Sequence, residues 1–352
     1  MVNSMFEEIL RYAIDHDCSD IHLVANMPPI VRKLGELVKL DYPILENHVV
    51  QSWINIMLNQ EQQKSYQDGH DVDSAYTDSN QSRYRLNIYR AQGKPAIAMR
   101  LLRGKIPTID QLGLPPILKT LADIPRGMIL VTGPTGSGKS TTLAAMIDYI
   151  NERKAKHILT LEDPIEYIHV PKKSLINQRE IHRDAHSFDS ALRSALREDP
   201  DVILVGEMRD FETISLALTA AETGHLVFST LHTTGAASTI DRIIDVFPPH
   251  QQSQIRTQLA SVLKGVISQA LIPRIDEPKR VAVHEIMVMT DAIGNLIREN
   301  KIVQINSSIQ TGQRIGMQTL EASLANYIKQ GAIDLETALE FSSNKEFLKR
   351  LI

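Results

Sequence analysis

The sequence predicts an α/β chain in two parts, a small α+β domain followed by a larger domain built on a parallel sheet and closed by helices. Three observations carry that expectation. Short, mainly apolar runs recur at residues 128–132, 157–161, 202–205 and 226–230, with helical patterns between them. Strands that read apolar throughout are buried on both faces, as in a parallel sheet between helix layers. The first run ends in Gly133-Pro134-Thr135-Gly136-Ser137-Gly138-Lys139-Ser140, which fills every fixed position of G-x-x-x-x-G-K-[ST]. The first hundred residues instead form short stretches broken by turn residues, the pattern of an antiparallel sheet. At 352 residues, two domains are the natural division.

In chain order, apolar residues at Phe6, Ile9, Leu10, Ala13 and Ile14 have helical spacing. A strand is expected over 21–25, a turn over 26–29 and a hairpin over 30–40, pinched at Gly35. Residues 44–66 read as helical with Trp53 inside. Strands follow at 71–77, 83–90 and 96–102, broken by Gln92-Gly93-Lys94-Pro95. In the second of these, Arg83 and Arg85 fall on one face, and Tyr84, Leu86 and Ile88 on the other. Arg100 and Arg103 close this basic group, which is either a solvated face or a set of arginines offered to a neighbouring subunit's triphosphate. Three prolines and two glycines in 104–116 mark a linker. The expected domains are 1–103, a linker over 104–122, a core over 123–290, and a helical region over 291–352.

Composition narrows the function. Hydrophobic residues make up 43% of the chain, enough for two cores, and the net charge is −4. Bulk attraction to nucleic acid or anionic lipid is therefore not expected. One cysteine, Cys18, excludes an internal disulfide and a multi-cysteine zinc site and suits a reducing compartment. No signal-type segment opens the chain and no apolar run nears the ~18 residues of a membrane helix. The expected location is the cytoplasm.

The glycine-rich stretch specifies chemistry. A buried strand brings the chain to a turn whose N–H groups cradle phosphate oxygens, and the helix that follows turns its positive end toward them. Lys139 is placed for the β- and γ-phosphates and Ser140 for Mg²⁺. This predicts binding of a nucleoside triphosphate. In a parallel sheet the ligand lies beyond the carboxyl ends of the strands. Two acidic groups stand there: Glu162, Asp163 and Glu166 after one apolar run, and Glu207 after another. Glu207 ends four apolar residues, as a Walker B acid does, where it can hold Mg²⁺ through water. His225 and His232 bracket the last run, and His232, at its carboxyl end, can sense the γ-phosphate.

Taken together, these motifs resemble the secretion-ATPase superfamily, and within it the PilT-type retraction motors of type IV pili. The segments that carry the likeness are 133–141, 157–166, 194–201 with 206–210, and 223–233. The resemblance spans nearly the whole chain. It implies a PAS-like first domain, a RecA-like second domain and a homohexamer with ATP and Mg²⁺ between subunits. It extends the nucleotide-binding loop to Thr141. It makes Glu166 the first choice for the base that activates water and Glu162 the second. Glu207 matches the Walker B acid. His225 and His232 match the His box, which adds His225 to the nucleotide-binding set and His232 to the catalytic set. Arg83, Arg85 and Arg100 match arginines that approach a neighbour's nucleotide, and Arg209 is a further candidate.

The implied activity is ATP hydrolysis that powers pilus retraction and twitching motility from the cytoplasmic side of the inner membrane. The implied partners are a membrane-embedded platform protein and a second retraction ATPase. Assembly relatives usually carry a four-cysteine insertion and a longer amino-terminal region, so one cysteine favours the retraction branch. One departure stands out. A helix that reads A-I-R-N-L-I-R-E in retraction motors has Gly294 in place of its first arginine, which weakens the helix by up to ~1 kcal/mol and makes an accessory retraction motor a second reading. A nucleic-acid translocase and a nucleotide-switched adaptor are the rival classes. Aromatic content of 5% and the negative charge disfavour a strand-binding channel, and the retained Lys139, Glu166 and Glu207 disfavour an inert adaptor.

Overall fold

A computed structural model describes all residues except 1, 17, 34, 81 and 103–105. Arg103 and the start of the expected linker lie outside the described residues. The chain divides into two compact units, Met1–Lys105 and Ile106–Ile352.

The first unit is an antiparallel sheet with helices on one face. Its strands are β1 (Asp20–Val24), β2 (Ile30–Lys33), β3 (Glu36–Lys39), β4 (Val72–Thr77), β5 (Arg83–Ala91) and β6 (Lys94–Leu102), in the order β3-β2-β1-β6-β5-β4. Alternation sends Tyr84, Leu86 and Ile88 of β5 inward, all fully buried. They meet Phe6 and Trp53, whose rings stand 5.2 Å apart. The stretch expected to be helical over 44–66 holds two helices, Asn47–Met57 and Gln60–Gln67. Asn59 breaks it: its side chain accepts from Gln62 N while the Gln62 side chain accepts from Asn59 N, a reciprocal capping box.

The second unit is a seven-stranded sheet with helices on both faces. Its strands are β7 (Gly127–Thr132), β8 (His157–Glu162), β9 (Leu175–Glu180), β10 (Val202–Val205), β11 (Leu226–Leu231), β12 (Leu263–Pro273) and β13 (Arg280–Val288), ordered β13-β12-β7-β11-β10-β8-β9. All neighbours pair in parallel except β12 with β13. Met128 and Leu130 of β7 enter the core on one face, Ile129 and Val131 that on the other. That two-sided burial is why the strand reads as a continuous apolar run.

Two expectations are corrected here. From Ile106 on, the expected linker belongs to the second unit: Ile109, Leu114, Leu118 and Leu121 are buried against one face of its sheet. The sheet also holds β9, β12 and β13 beyond the four strands read in the sequence. As expected of helices that close the larger domain, the region over 291–352 packs on its sheet, with Leu320, Leu324, Ile333 and Leu348 against Ile272 of β12 and Val283 of β13. Among the described residues, no helix is long and apolar enough to cross a membrane.

Candidate active site

β7, buried along its whole length, delivers the chain to the glycine-rich turn. Gly133 has φ +138°, and a Cβ there would lie 2.1 Å from the Gln269 carbonyl oxygen. Gly138 has φ +89° and opens the helix Lys139–Arg153. Both positions exclude a side chain, on backbone conformation and on space. Pro134, Thr135 and Gly136 form the exposed tip, while Ser137 is 2% exposed and its hydroxyl has no hydrogen-bond partner among the described residues.

Lys139 starts the helix with its ammonium folded back, donating to Gly133 O at 2.8 Å and Pro134 O at 3.0 Å. Burial lowers its pKa, and the charges of Glu166 and Glu207 work against that shift. Both carboxylates therefore lie within electrostatic reach of the ammonium. Ser140 stands in the first turn beside it. Thr141 Oγ1 lies 2.9 Å from the Tyr167 hydroxyl, tying the helix to the loop after β8.

The turn after β10 is pinned from both neighbours. Gly206 N donates to Leu161 O at 2.7 Å, and Thr230 Oγ1 donates to Gly206 O at 2.6 Å. This fixes Glu207, whose Oε2 sits 2.7 Å from Arg209 Nε and 3.5 Å from His232 Nε2. His232 Nδ1 in turn lies 3.5 Å from Thr135 Oγ1. One imidazole thus spans from the acid after β10 to the phosphate-loop tip.

The two candidate bases differ in setting. Glu162 accepts from Thr160 Oγ1 at 2.6 Å and Gln178 Nε2 at 3.1 Å. Burial pushes its carboxyl above the usual range, with those hydrogen bonds pulling it back. Glu166 is exposed on the loop. Gln178 of β9 shapes that loop, donating to Tyr167 O at 2.8 Å and accepting from His169 N at 2.8 Å.

His225 is not brought to this site within the chain. It precedes β11 at the amino end, and its carbonyl accepts from Gly127 N at the start of β7. A six-residue strand separates it from His232, about 20 Å at ~3.3 Å per residue. Its Nδ1 lies 2.9 Å from Ala220 O at the end of the helix Phe211–Glu222. Arg83, Arg85 and Arg100 lie in the first unit. Arg85 stands directly opposite Arg100, which stands opposite Asp20. Arg100 Nε donates to Asp20 Oδ1 at 2.8 Å. Burial opposes the shift, but the Ser19 hydroxyl and the Arg100 guanidinium hold the Asp20 carboxyl below its ordinary range.

Gln269 escaped the sequence reading. It is 4% exposed on β12. Its Nε2 donates to Ser137 O at 2.6 Å and its Oε1 accepts from Thr142 Oγ1 at 2.8 Å. It thereby clamps the base of the phosphate loop to the first turn of the following helix. The signal was the polar pair Ser268-Gln269 inside an apolar stretch.

Serine, threonine and carboxylate oxygens around the lysine make a hard-donor set that suits Mg²⁺ bound largely by phosphates and water. Among the described residues, no group of three or more His, Cys, Asp or Glu side chains is placed to hold a metal alone.

A phosphate loop ending a buried parallel strand, with acids at the ends of nearby strands, defines a P-loop nucleoside triphosphatase. The chain belongs to the family of type II/IV secretion system proteins, whose pattern matches residues 1–340. It is 50% identical over 333 residues to the type IV pilus retraction ATPase PilT of Pseudomonas aeruginosa, covering 95% of this chain and 96% of that protein. A twitching motility protein of Neisseria gonorrhoeae is 52% identical over 323 residues, covering 92% of this chain and 86% of the other. A crystal structure of the pilus retraction motor PilT with bound ADP superposes with a TM-score of 0.92 at 47% identity, covering 97% of this chain and 98% of that one.

Proposed function

We propose that this chain is a motor ATPase that hydrolyses ATP to drive type IV pilus retraction, acting as a homohexamer on a platform protein at the cytoplasmic face of the inner membrane. The convergence of the phosphate loop, Glu166 and Glu207 on Lys139 carries the catalytic part of this reading. ATP binding displaces the Lys139 ammonium from the carbonyls of Gly133 and Pro134 toward the β- and γ-phosphates. Ser140 and Glu207 would hold Mg²⁺, which would offset phosphate charge when bound. Glu166 accepts a proton from the attacking water. The bond from the γ-phosphorus to the bridging oxygen breaks, and ADP keeps that oxygen. Glu166 is favoured over Glu162, whose carboxyl is held by Thr160 and Gln178. His232 links Glu207 to Thr135 and so reads whether the γ-phosphate is present.

Arg83, Arg85 and Arg100 serve a neighbouring subunit's nucleotide. Like charges directly opposite in a sheet destabilise it, and a phosphate placed between Arg85 and Arg100 removes that repulsion. Arg209, already on Glu207, acts within its own site.

A strain lacking the gene tests the whole reading. Abundant surface pili with lost motility, restored by the wild type and not by Lys139→Ala, are expected. Bare cells would contradict retraction. Gly294 favours a second reading, an accessory retraction motor, for which deletion would leave most motility intact.

A further inference from the structure

The most unexplained region of the second unit lies at the pole of its sheet opposite the phosphate loop. Two adjoining cavities of about 410 and 400 Å³ open there and share Ser261 and Lys264. Lys264 follows the first residue of β12, its stem lying across Gly127 at the start of β7. Arg298 lines one cavity and Arg126 the other. None of these three cations has an ion pair among the described residues. Lys264 Nζ reaches only the Ser261 carbonyl, at 3.1 Å, and Arg298 donates to the Asn295 side-chain oxygen. The lining also holds Asp291 and Glu222. The first opens its helix and the second accepts from Gln258 at 3.2 Å, and among the described residues neither forms an ion pair with these cations.

Gly294 supplies a separate observation. It lies within the helix Asp291–Arg298 at ordinary helical backbone, since it is absent from the positive-φ glycines. A Cβ there would meet nothing closer than Arg298 Nη2 at 3.4 Å and Ala260 O at 3.8 Å, ordinary contact distances. Neither backbone conformation nor helix packing demands glycine, which forms helices less readily than alanine. What glycine provides is an open cavity wall, beside Arg298.

We infer that this cleft is a second anion site, distinct from the nucleotide site, that binds the phosphate group of a small molecule between Lys264 and Arg298. Guanidinium and ammonium groups without carboxylate partners are the usual phosphate donors. The space exceeds a lone phosphate ion, and Ile124, Val288 and Met289 offer an apolar wall to an organic body. The site takes either free phosphate or a phosphorylated organic molecule, and the choice of probe distinguishes them.

The test is equilibrium binding of inorganic phosphate and, separately, of AMP, with the phosphate loop saturated by a non-hydrolysable ATP analogue and Mg²⁺. Binding of at least one probe is expected. Binding of both, AMP the tighter, assigns an organic phosphate; binding of phosphate alone assigns the free ion. The dissociation constant should rise at least ~10-fold in Lys264→Met and Arg298→Met, each of which removes a charge-assisted contact. Gly294→Met, which fills the cavity, should do the same, and Gly294→Ala should retain binding. Absence of binding by both probes, or equal binding in Lys264→Met and Gly294→Met, would overturn the assignment. Melting curves separate loss of binding from loss of fold.

Discussion

At the strand ends of the second unit the charged side chains have partners within the chain, whereas on the wet face of the first unit's sheet arginines outnumber their carboxylate. Lys139 is held by two carbonyls, and Glu207 by Arg209 and His232. On the other surface Asp20 serves both Arg100, at 2.8 Å, and Arg32, at 3.8 Å. Arg85, facing Arg100, has no ion pair among the described residues. The lysine site is closed upon itself until nucleotide enters; Arg85, placed opposite Arg100 and without an ion pair among the described residues, is open to an anion from outside.

The largest effect within one chain is expected at the loop after β8. Glu166→Gln should lower turnover about 10²–10³-fold, as loss of a general base does, while ATP still binds. Glu162→Gln should cost far less, because a glutamine oxygen can keep the bonds from Thr160 and Gln178. Steady-state ATPase assays decide, and an inverted ranking would move the base to Glu162.

A smaller loss is expected at Gln269. Gln269→Leu frees the phosphate-loop base from Thr142 and should raise KM for ATP by about 10-fold with a lesser change in kcat, as misplacement of a positioning contact does. An equal fall of both with a lowered melting temperature would make Gln269 merely structural.

The mildest prediction separates the two units by pH. Burial lowers the pKa of His284 to about 4, and His169, buried near Asp148 and Lys172, likewise to about 4. Both belong to the second unit. The unfolded chain protonates its histidines near the ordinary value of ~6.5. Folding stability should therefore be intact above that value and fall as pH drops from about 6.5 to about 4, by on the order of a few kcal/mol. The single tryptophan, Trp53, sits in the first unit's core. Its fluorescence should shift little in denaturant midpoint over that window while circular dichroism from the second unit shifts clearly. His284→Gln should flatten the pH slope.

Much of this was legible in the sequence where one force dominates. Strands β7, β8, β10 and β11 are buried on both faces and so read as apolar runs, and Gly133 and Gly138 of the phosphate loop leave no room for a side chain. The sheet's margins were not legible. β9 is an edge strand whose Leu-Ile-Asn-Gln-Arg-Glu is mostly polar, and β12 follows the helix Gln252–Val262 directly, with no turn residue to mark the change. Prolines at 115 and 116 suggested a linker, yet Leu114 and Leu118 bury themselves on either side. At the site, Glu207 and His232 could be named from their strand ends. Gln269 could not, because its role depends on a pairing between strands far apart in sequence. His225 matched a motif but sits at the wrong end of its strand.

The central claim is that each site needs arginines from another copy of the chain. Lys139→Ala lacks the site's own lysine and Arg85→Ala lacks the arginine lent to a neighbour, so each alone should have almost no ATPase activity. Mixed in equal amounts and allowed to exchange subunits, they should regain activity, since an Arg85→Ala subunit keeps its lysine and can borrow an arginine from a Lys139→Ala neighbour. Random mixing makes about a quarter of the interfaces complete, on the premise that one supplied arginine restores one site. Recovery toward that level is the predicted result. A mixture no more active than the average of its two components would contradict the claim and leave the arginine row as a solvated face.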